Sequence, residues 1–537
     1  MLQISRLSFR SLAFSIRSLG LSTRSLGFAS AWVACVVSLS GWQSAAGNDT
    51  LMSHGSASRL GLTEAWRRGL NLPAGAQSII DQRLFVDAAT STRYVELIRA
   101  GAETGDEDQP IAESDVLWRM RADQVGRDGN PLGENEVKRL ARLEALRLAR
   151  KGIEAEVATR EIPVVWLYTL SDDGTLECRD AESGRTRWVT QIGDRRLTYR
   201  SLGLDSERIS VINGGNLIVV DAADGSVLNR RRTINAPGSA CVHVGKYVLI
   251  PSIGSGVEGH LLDDPGAEHF FERVSGAALH VPTAGQGTLR CAWGTVNGYV
   301  YVMELEGEPS VLFRLDTDGL VGARIVAAGD RFFFATDAGQ VYAVRSTREG
   351  QVLWTRPFGE PFFDPPGIHQ NTILLRSGYG NLYSLAAGDG AKNWPQPAGG
   401  VDQILAVIEG RIYVRTLAGH LAVLDLESGD TVMEMPEVQP TNVLINRVSD
   451  RLYLLSDSGT VQCLRPETSE LPQLKVMPDP LPEEPEDAPE EPSRPQPAEP
   501  TDPFGAPGED PFGDPGDPFG APDEDPFGGD PFGGDPF

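Results

Sequence analysis

The chain has 537 residues, a formal net charge of −26 and five cysteines, and is long enough for several domains. Its acidic balance speaks against a protein that works by neutralising nucleic-acid phosphates. The charge is unevenly spread, because two terminal segments of unusual composition flank a middle part that is only moderately acidic.

Residues 1–46 read as an export signal. Arg6, Arg10, Arg17 and Arg24 stand without any acidic residue, the apolar run LGFASAWVACVVSL follows, and SAAG closes the segment at 44–47. The apolar run is shorter than the roughly 20 residues of a spanning helix. Cleavage after Ala46 is therefore expected, leaving no transmembrane helix. Cys35 falls within WVAC, but the bulky Trp32 and the apolar VVSL beyond it speak against lipid attachment there.

Residues 47–153 read as a small α+β module. SIIDQRLFVD and TRYVELIRA form a predicted strand pair around a turn at Ala88 to Ser91, and an acidic loop follows at 103–115. ENEVKRLARLEALRLARK, at 134–151, predicts a helix stopped by Gly152. Its leucines are expected to pack on the next domain, with Lys138, Arg139, Arg142, Arg147, Arg150 and Lys151 on a solvated face, a membrane-surface role being the alternative.

Residues 154–477 repeat. WLYTLSDDG, RISVINGG, KYVLIPSIG, RCAWGTVNG, RFFFATDAG, TILLRSGYG, RIYVRTLAG and RLYLLSDSG begin at 166, 208, 246, 290, 331, 372, 411 and 451, a spacing near forty. Each run ends in a turn glycine: Gly174, Gly215, Gly298, Gly339, Gly380, Gly419 and Gly459 mark it most clearly. An alternating or apolar run then leads to a second turn, bracketed by Asp180, Asp221 or Asp425 and by Gly184, Gly225, Gly350, Gly390 or Gly429. Trp188, Trp354 and Trp394 stand four residues beyond that glycine, where a large ring can wedge against the neighbouring unit, while Asn229 and Met433 fill the slot elsewhere. Four short strands per forty residues make a propeller blade. The fold class is all-β: an eight-bladed β-propeller with a small α+β N-terminal module and a disordered acidic tail. The third unit, with SGVEGHLLDDPGAEHFFERV, is expected to carry a surface insertion. Residues 154–159 or a C-terminal strand would supply the innermost strand of the first blade.

The arrangement G-x-L-x-x-x-D-x-x-x-G-x-x-x-W resembles the PQQ-like repeat, known from quinoprotein dehydrogenases and from the outer-membrane assembly lipoprotein BamB. The resemblance implies a PQQ-like β-propeller, and its BamB branch implies a periplasmic scaffold that contacts an outer-membrane insertase through propeller loops. The quinoprotein branch implies a quinone and Ca²⁺ near the propeller axis, with a vicinal cysteine pair against the cofactor.

No Cys-Cys pair occurs in this chain, and isolated acids such as Asp263, Asp264 and Asp316 show no motif that would gather them around Ca²⁺. His243, His260, His269, His280 and His369 lack HxH or HxxxH spacing. Nucleophile elbows and phosphate-binding loops are missing too. Neither catalytic residues nor a cofactor or metal are expected. Cys178, Cys241, Cys291 and Cys463 could form two disulfides in an exported protein, but their apolar strand contexts read better as small core fillers.

The tail, residues 478–537, holds eighteen acidic residues against Arg494 alone and is rich in proline and glycine. Its repeated DPF motifs place Phe504, Phe512, Phe519, Phe527, Phe532 and Phe537 as weak anchors of a multivalent tether, or as bystanders in a solubilising tail. The expected function is a non-enzymatic, exported interaction scaffold of the cell envelope, BamB-like, with envelope proteins as partners, no nucleic acid, and peripheral outer-membrane association. A PQQ-dependent dehydrogenase with an unfamiliar site and a carbohydrate-binding propeller are the alternatives.

Overall fold

The computed structural model describes residues 51–101, 113–127, 129–440 and 444–475. The signal read at 1–46, with Cys35, and the tail read at 478–537, with its six phenylalanines, lie outside the described residues.

Within each repeat, β-prone runs pair with their sequence neighbours as antiparallel meanders. In the second blade Gly203–Leu204, Arg208–Asn213, Asn216–Asp221 and Val227–Arg232 follow one another across the sheet. The two middle strands are almost wholly buried, whereas the outermost strand exposes alternate residues. Among the described residues eight such sheets are present, six with four strands or more. The third keeps its four strands, and its irregular sequence becomes a longer turn at 262–269 between Gly256–Leu261 and Phe270–Arg273.

The ring is closed by apolar packing between every pair of neighbours. One buried cluster joins blades one and two, another joins two and three, and the series continues until Leu167 of the first blade meets Tyr453 and Cys463 of the eighth. Closure removes the edges that an open array of sheets would present.

Closure uses the N-terminal segment. Leu62–Gly69 pairs antiparallel with Thr460–Pro466 and forms the outer strand of the eighth blade, so the propeller recruits residues upstream of 154. Helix α1, His54–Arg59, leads into it, its first turn capped by Ser53 through the Ser56 N–H at 3.1 Å. Met52 is pinned by two bonds to the Gln462 side chain, at 2.9 and 2.8 Å.

The predicted strand pair around Ala88 is instead one strand, Ile79–Arg99, whose partner along nearly its whole length is Ala155–Ser171. Residues 88–90 bulge out of the ladder. Asp87 holds the bulge, accepting from the Ala89 N–H at 2.9 Å and the Trp166 indole at 3.1 Å. The first half of this strand is the innermost strand of the first blade, in place of residues 154–159. Its second half, with residues 155–163 and Val116–Arg121, extends beyond the blade. Helix α2, Glu134–Ala149, covers this extension: Val137 and Ala141 pack on Val95 and Leu97. Leu143 and Leu146 face outward, so the expectation that the helix leucines pack on the propeller is corrected. The helix axis lies over a small sheet that accommodates only the stripe containing Val137, Ala141, Ala145 and Leu148.

Candidate functional site

The repeat signature builds the contacts between blades. Trp188 lies over Gly225 of the next blade and its indole donates to the Ala222 carbonyl at 3.0 Å. Trp354 does the same with Gly390 and Ala387, and Trp394 with Gly429 and Leu426. A Cβ at Gly429 would meet the Trp394 ring at 2.7 Å, and its φ of +79° favours glycine as well. The acids hold the turns: the Asp425 carboxylate accepts from the Glu427 and Ser428 N–H groups, Asp221 from Ala223, and Asp180 from Glu182 and Ser183. Gly174, Gly298, Gly339, Gly380, Gly419 and Gly459 take positive φ at the first turns, as do Gly184, Gly225, Gly350 and Gly390 at the second. Gly215 departs from the pattern, because its neighbour Gly214 adopts the left-handed conformation at φ +61°.

Two wedges lie outside the sequence pattern. Trp66, on the N-terminal strand, covers Gly184 and donates to the Ala181 carbonyl at 2.9 Å, completing the ring. Phe313 covers Gly350 and fills the same slot without an N–H. The spacing of each wedge to the glycine of the following blade is the signal that could have revealed Phe313. Trp66 is separated from the blade it completes by nearly the whole propeller.

The signature residues therefore serve the ring, and chemistry must be sought on its faces. In an antiparallel meander the hairpins joining the two middle strands and the connectors between blades emerge on one face. That face carries the exposed apolar side chains Ile253, Val296, Tyr379 and Leu417 on hairpins, and Leu197, Ile234 and Phe363 on connectors. Tyr379 is 68% exposed and Ile253 62%. Among the described residues, Leu289 is the large exposed apolar residue in the turns of the opposite propeller face, while Val227, Leu228, Val352 and Val432 are exposed at the starts of the outer strands that leave those turns. Single exposed apolar residues are ordinary, but their concentration on one face marks a contact surface.

At the centre of the same face the innermost strands and their connectors bring arginines together. Arg324 of the fifth blade feels the charges of Arg83 and Asp81 on the first blade and of Arg447 on the eighth. Burial, reinforced by the neighbouring cations, pushes the Arg324 guanidinium down to about 9, and it remains charged at neutral pH. Burial also lowers Arg447. Arg324 donates to Thr283 Oγ1 at 3.1 Å and Arg447 to the Pro365 carbonyl at 3.4 Å. Arg83 is paired with Asp81 at 2.9 Å. Further in, the backbone of Lys475 donates to the Val448 carbonyl and its ammonium to the Val407 carbonyl, beside a small cavity lined by Arg447 and His369.

These residues do not fit a quinone and its Ca²⁺. The described residues contain no group of three or more His, Cys, Asp or Glu placed to hold a metal, and the channel wall is cationic where Ca²⁺ would require converging oxygens. The histidines are dispersed: His243 bonds Asp205 and Ser210, His260 bonds Glu258 and stacks on His269, and His280 lies near Arg324. Asp263 pairs with Arg208 and Asp316 with Arg314. Asp264 caps the Gly266 N–H. Among the described residues the four cysteines are free and buried, three of them in separate strands and Cys241 just before the strand Val242–Val244, and burial raises each thiol.

Residues 308–452 match the family model of the outer membrane protein assembly factor BamB, a span holding the Trp354 and Trp394 wedges. The BamB of Nitrosomonas eutropha is 25% identical over 169 residues, covering 29% of this chain and 41% of that protein. The chain is a PQQ-like repeat protein resembling BamB. The match thus spans less than half the length of the curated relative. Among solved structures, BamB from Moraxella catarrhalis is similar at 15% identity and a TM-score of 0.45, covering 56% of this chain and 91% of that one. Saccharomyces cerevisiae Sqt1 is similar at 8% identity and a TM-score of 0.44, covering 56% and 92%. Among the described residues no helix is long and apolar enough to cross a membrane.

Proposed function

We propose that this protein is a non-enzymatic, exported interaction scaffold of the cell envelope, working as BamB is named to do, in outer-membrane protein assembly. One observation carries the reading: the signature residues are engaged between blades, while exposed apolar side chains gather on the hairpin-and-connector face around a charged channel mouth. A rigid ring with such a face is suited to holding other proteins. The partners are envelope proteins, and the location is the periplasm or the periplasmic side of the outer membrane, reached through the segment at 1–46. The match to the BamB family model supports this assignment over unrelated uses of the fold.

Crosslinking and mass spectrometry on native envelopes tests it. The proposal expects crosslinks from this face to outer-membrane assembly proteins. Dye-linked oxidation of alcohols or sugars after incubation with PQQ and Ca²⁺, together with an absence of protein crosslinks, would overturn it in favour of a dehydrogenase.

A further inference from the structure

We infer that the channel mouth is a carboxylate-binding site, built to take the acidic side chains of an extended polypeptide segment. The inference rests on the scaffold reading and gives its partner a chemistry. Arg324, Arg447 and Arg83 come from three blades, two of them on opposite sides of the ring, and their charges converge near the axis. Asp81 already pairs with Arg83. Arg324 and Arg447 have neutral oxygen partners, Thr283 and Pro365, and no carboxylate among the described residues lies within ion-pair distance of either.

Like charges gathered in a partly dry channel repel one another and lose hydration, and an entering anion relieves both costs. Guanidinium suits a carboxylate because its fork of N–H donors matches the two oxygens. This cationic cluster belongs to a protein of net charge −26, so bulk attraction of anions does not account for it.

A polypeptide, rather than a small anion, is indicated by what adjoins the arginines. The exposed ring of Phe363 lies against Gly322, where an added Cβ would meet it at 3.0 Å, and against Gly378 at the same distance. Gly322 is two residues before Arg324, and Phe363 is two residues before Pro365, the acceptor of Arg447. Apolar surface and unpaired guanidinium are thus contiguous, as a segment carrying both acidic and apolar side chains requires.

The test is fluorescence anisotropy with a labelled hexaglutamate peptide added to the full chain. Saturable binding is expected, weakening as salt is raised. Arg324→Gln combined with Arg447→Gln should lower affinity at least tenfold. Arg348→Gln, an equal change of charge per residue at an exposed turn on the opposite face, should leave it within twofold. Removing mutually repelling charges should leave the thermal midpoint of the double variant unchanged or raised, which separates a lost site from a lost fold. Arg324→Gln alone gives a second variant, expected to lose about threefold or more. Absence of saturable binding, an equal loss in Arg348→Gln, or equal competition by citrate per carboxylate would overturn the inference. If wild-type protein crosslinks to envelope proteins but does not bind hexaglutamate, this inference fails and the scaffold reading stands. If it does neither, both fail.

Discussion

Replacing Trp66 by alanine should open the ring at the place where a distant strand completes it. The Trp66 side chain is 7% exposed, covers Gly184 of the first blade, and donates to the Ala181 carbonyl at 2.9 Å. A tryptophan buried to that extent removes roughly 200 Å² from water, an upper limit of about 5 kcal/mol at about 25 cal/mol per Å². The lost hydrogen bond adds about 1 kcal/mol, and partial collapse of the cavity brings the expected destabilisation to about 3–5 kcal/mol. Urea denaturation followed by circular dichroism measures it. Trp394→Ala, with the same packing and a 3.0 Å bond to Leu426, is the matched control inside the ring and should cost a similar amount. The two variants should differ in proteolysis. Trypsin should cut at Arg67 and Arg68 in Trp66→Ala, because the strand Leu62–Gly69 is held by non-covalent contacts to the eighth blade, and should spare these sites in Trp394→Ala. A loss below about 1 kcal/mol for Trp66→Ala, or equal release of this strand by both variants, would refute the reasoning.

Gly429→Ala should cost about 2 kcal/mol or more in urea unfolding, since it combines a 2.7 Å clash with Trp394 and a φ of +79°; a neutral result would contradict the wedge geometry. Arg451, wholly buried, bonds Glu182 and Asp450 at 3.0 Å and joins the eighth blade to the first; Arg451→Ala should destabilise by about 3–5 kcal/mol because it strands two carboxylates. Despite burial, the Glu258 carboxyl is held down to about 2 by His260 and by the Asn235 and Ile234 N–H groups. A depressed carboxyl stabilises fully above its unfolded value near 4.5 and loses that contribution as pH falls toward 2, so Glu258→Gln should flatten acid destabilisation across that window by up to about 3 kcal/mol. Cys178, Cys241, Cys291 and Cys463 should react with a thiol reagent only after denaturation, and rapid labelling of the native protein would contradict their burial.

The blades were legible because each signature residue has a local task. Asp425 caps its own turn, Gly429 takes a backbone shape few residues tolerate, and both lie within a dozen residues of the strands they join. Pairing that depends on distant partners was not legible. The small residues at 88–90 look like a hairpin turn because nothing nearby reveals that Ile79–Arg99 pairs with a segment some seventy residues downstream. Trp66 lacks the surrounding Gly-Asp-Gly frame, since the frame of its blade is supplied by the other end of the chain. The channel mouth was hidden for the same reason. Arg83, Arg324 and Arg447 are single residues in unrelated contexts, and only ring closure brings their charges together. The exposed apolar side chains, likewise, were ordinary in sequence and informative once the turns were sorted by face.

Site-specific photocrosslinking in intact envelopes tests the central claim most directly. A benzoylphenylalanine at Tyr379, on the hairpin-and-connector face, and another at Leu289, on the opposite face, sample the two surfaces at exposed apolar positions. The account predicts a discrete envelope-protein adduct from position 379 and none from position 289. Adducts of equal yield from both positions, or none from 379, would contradict it.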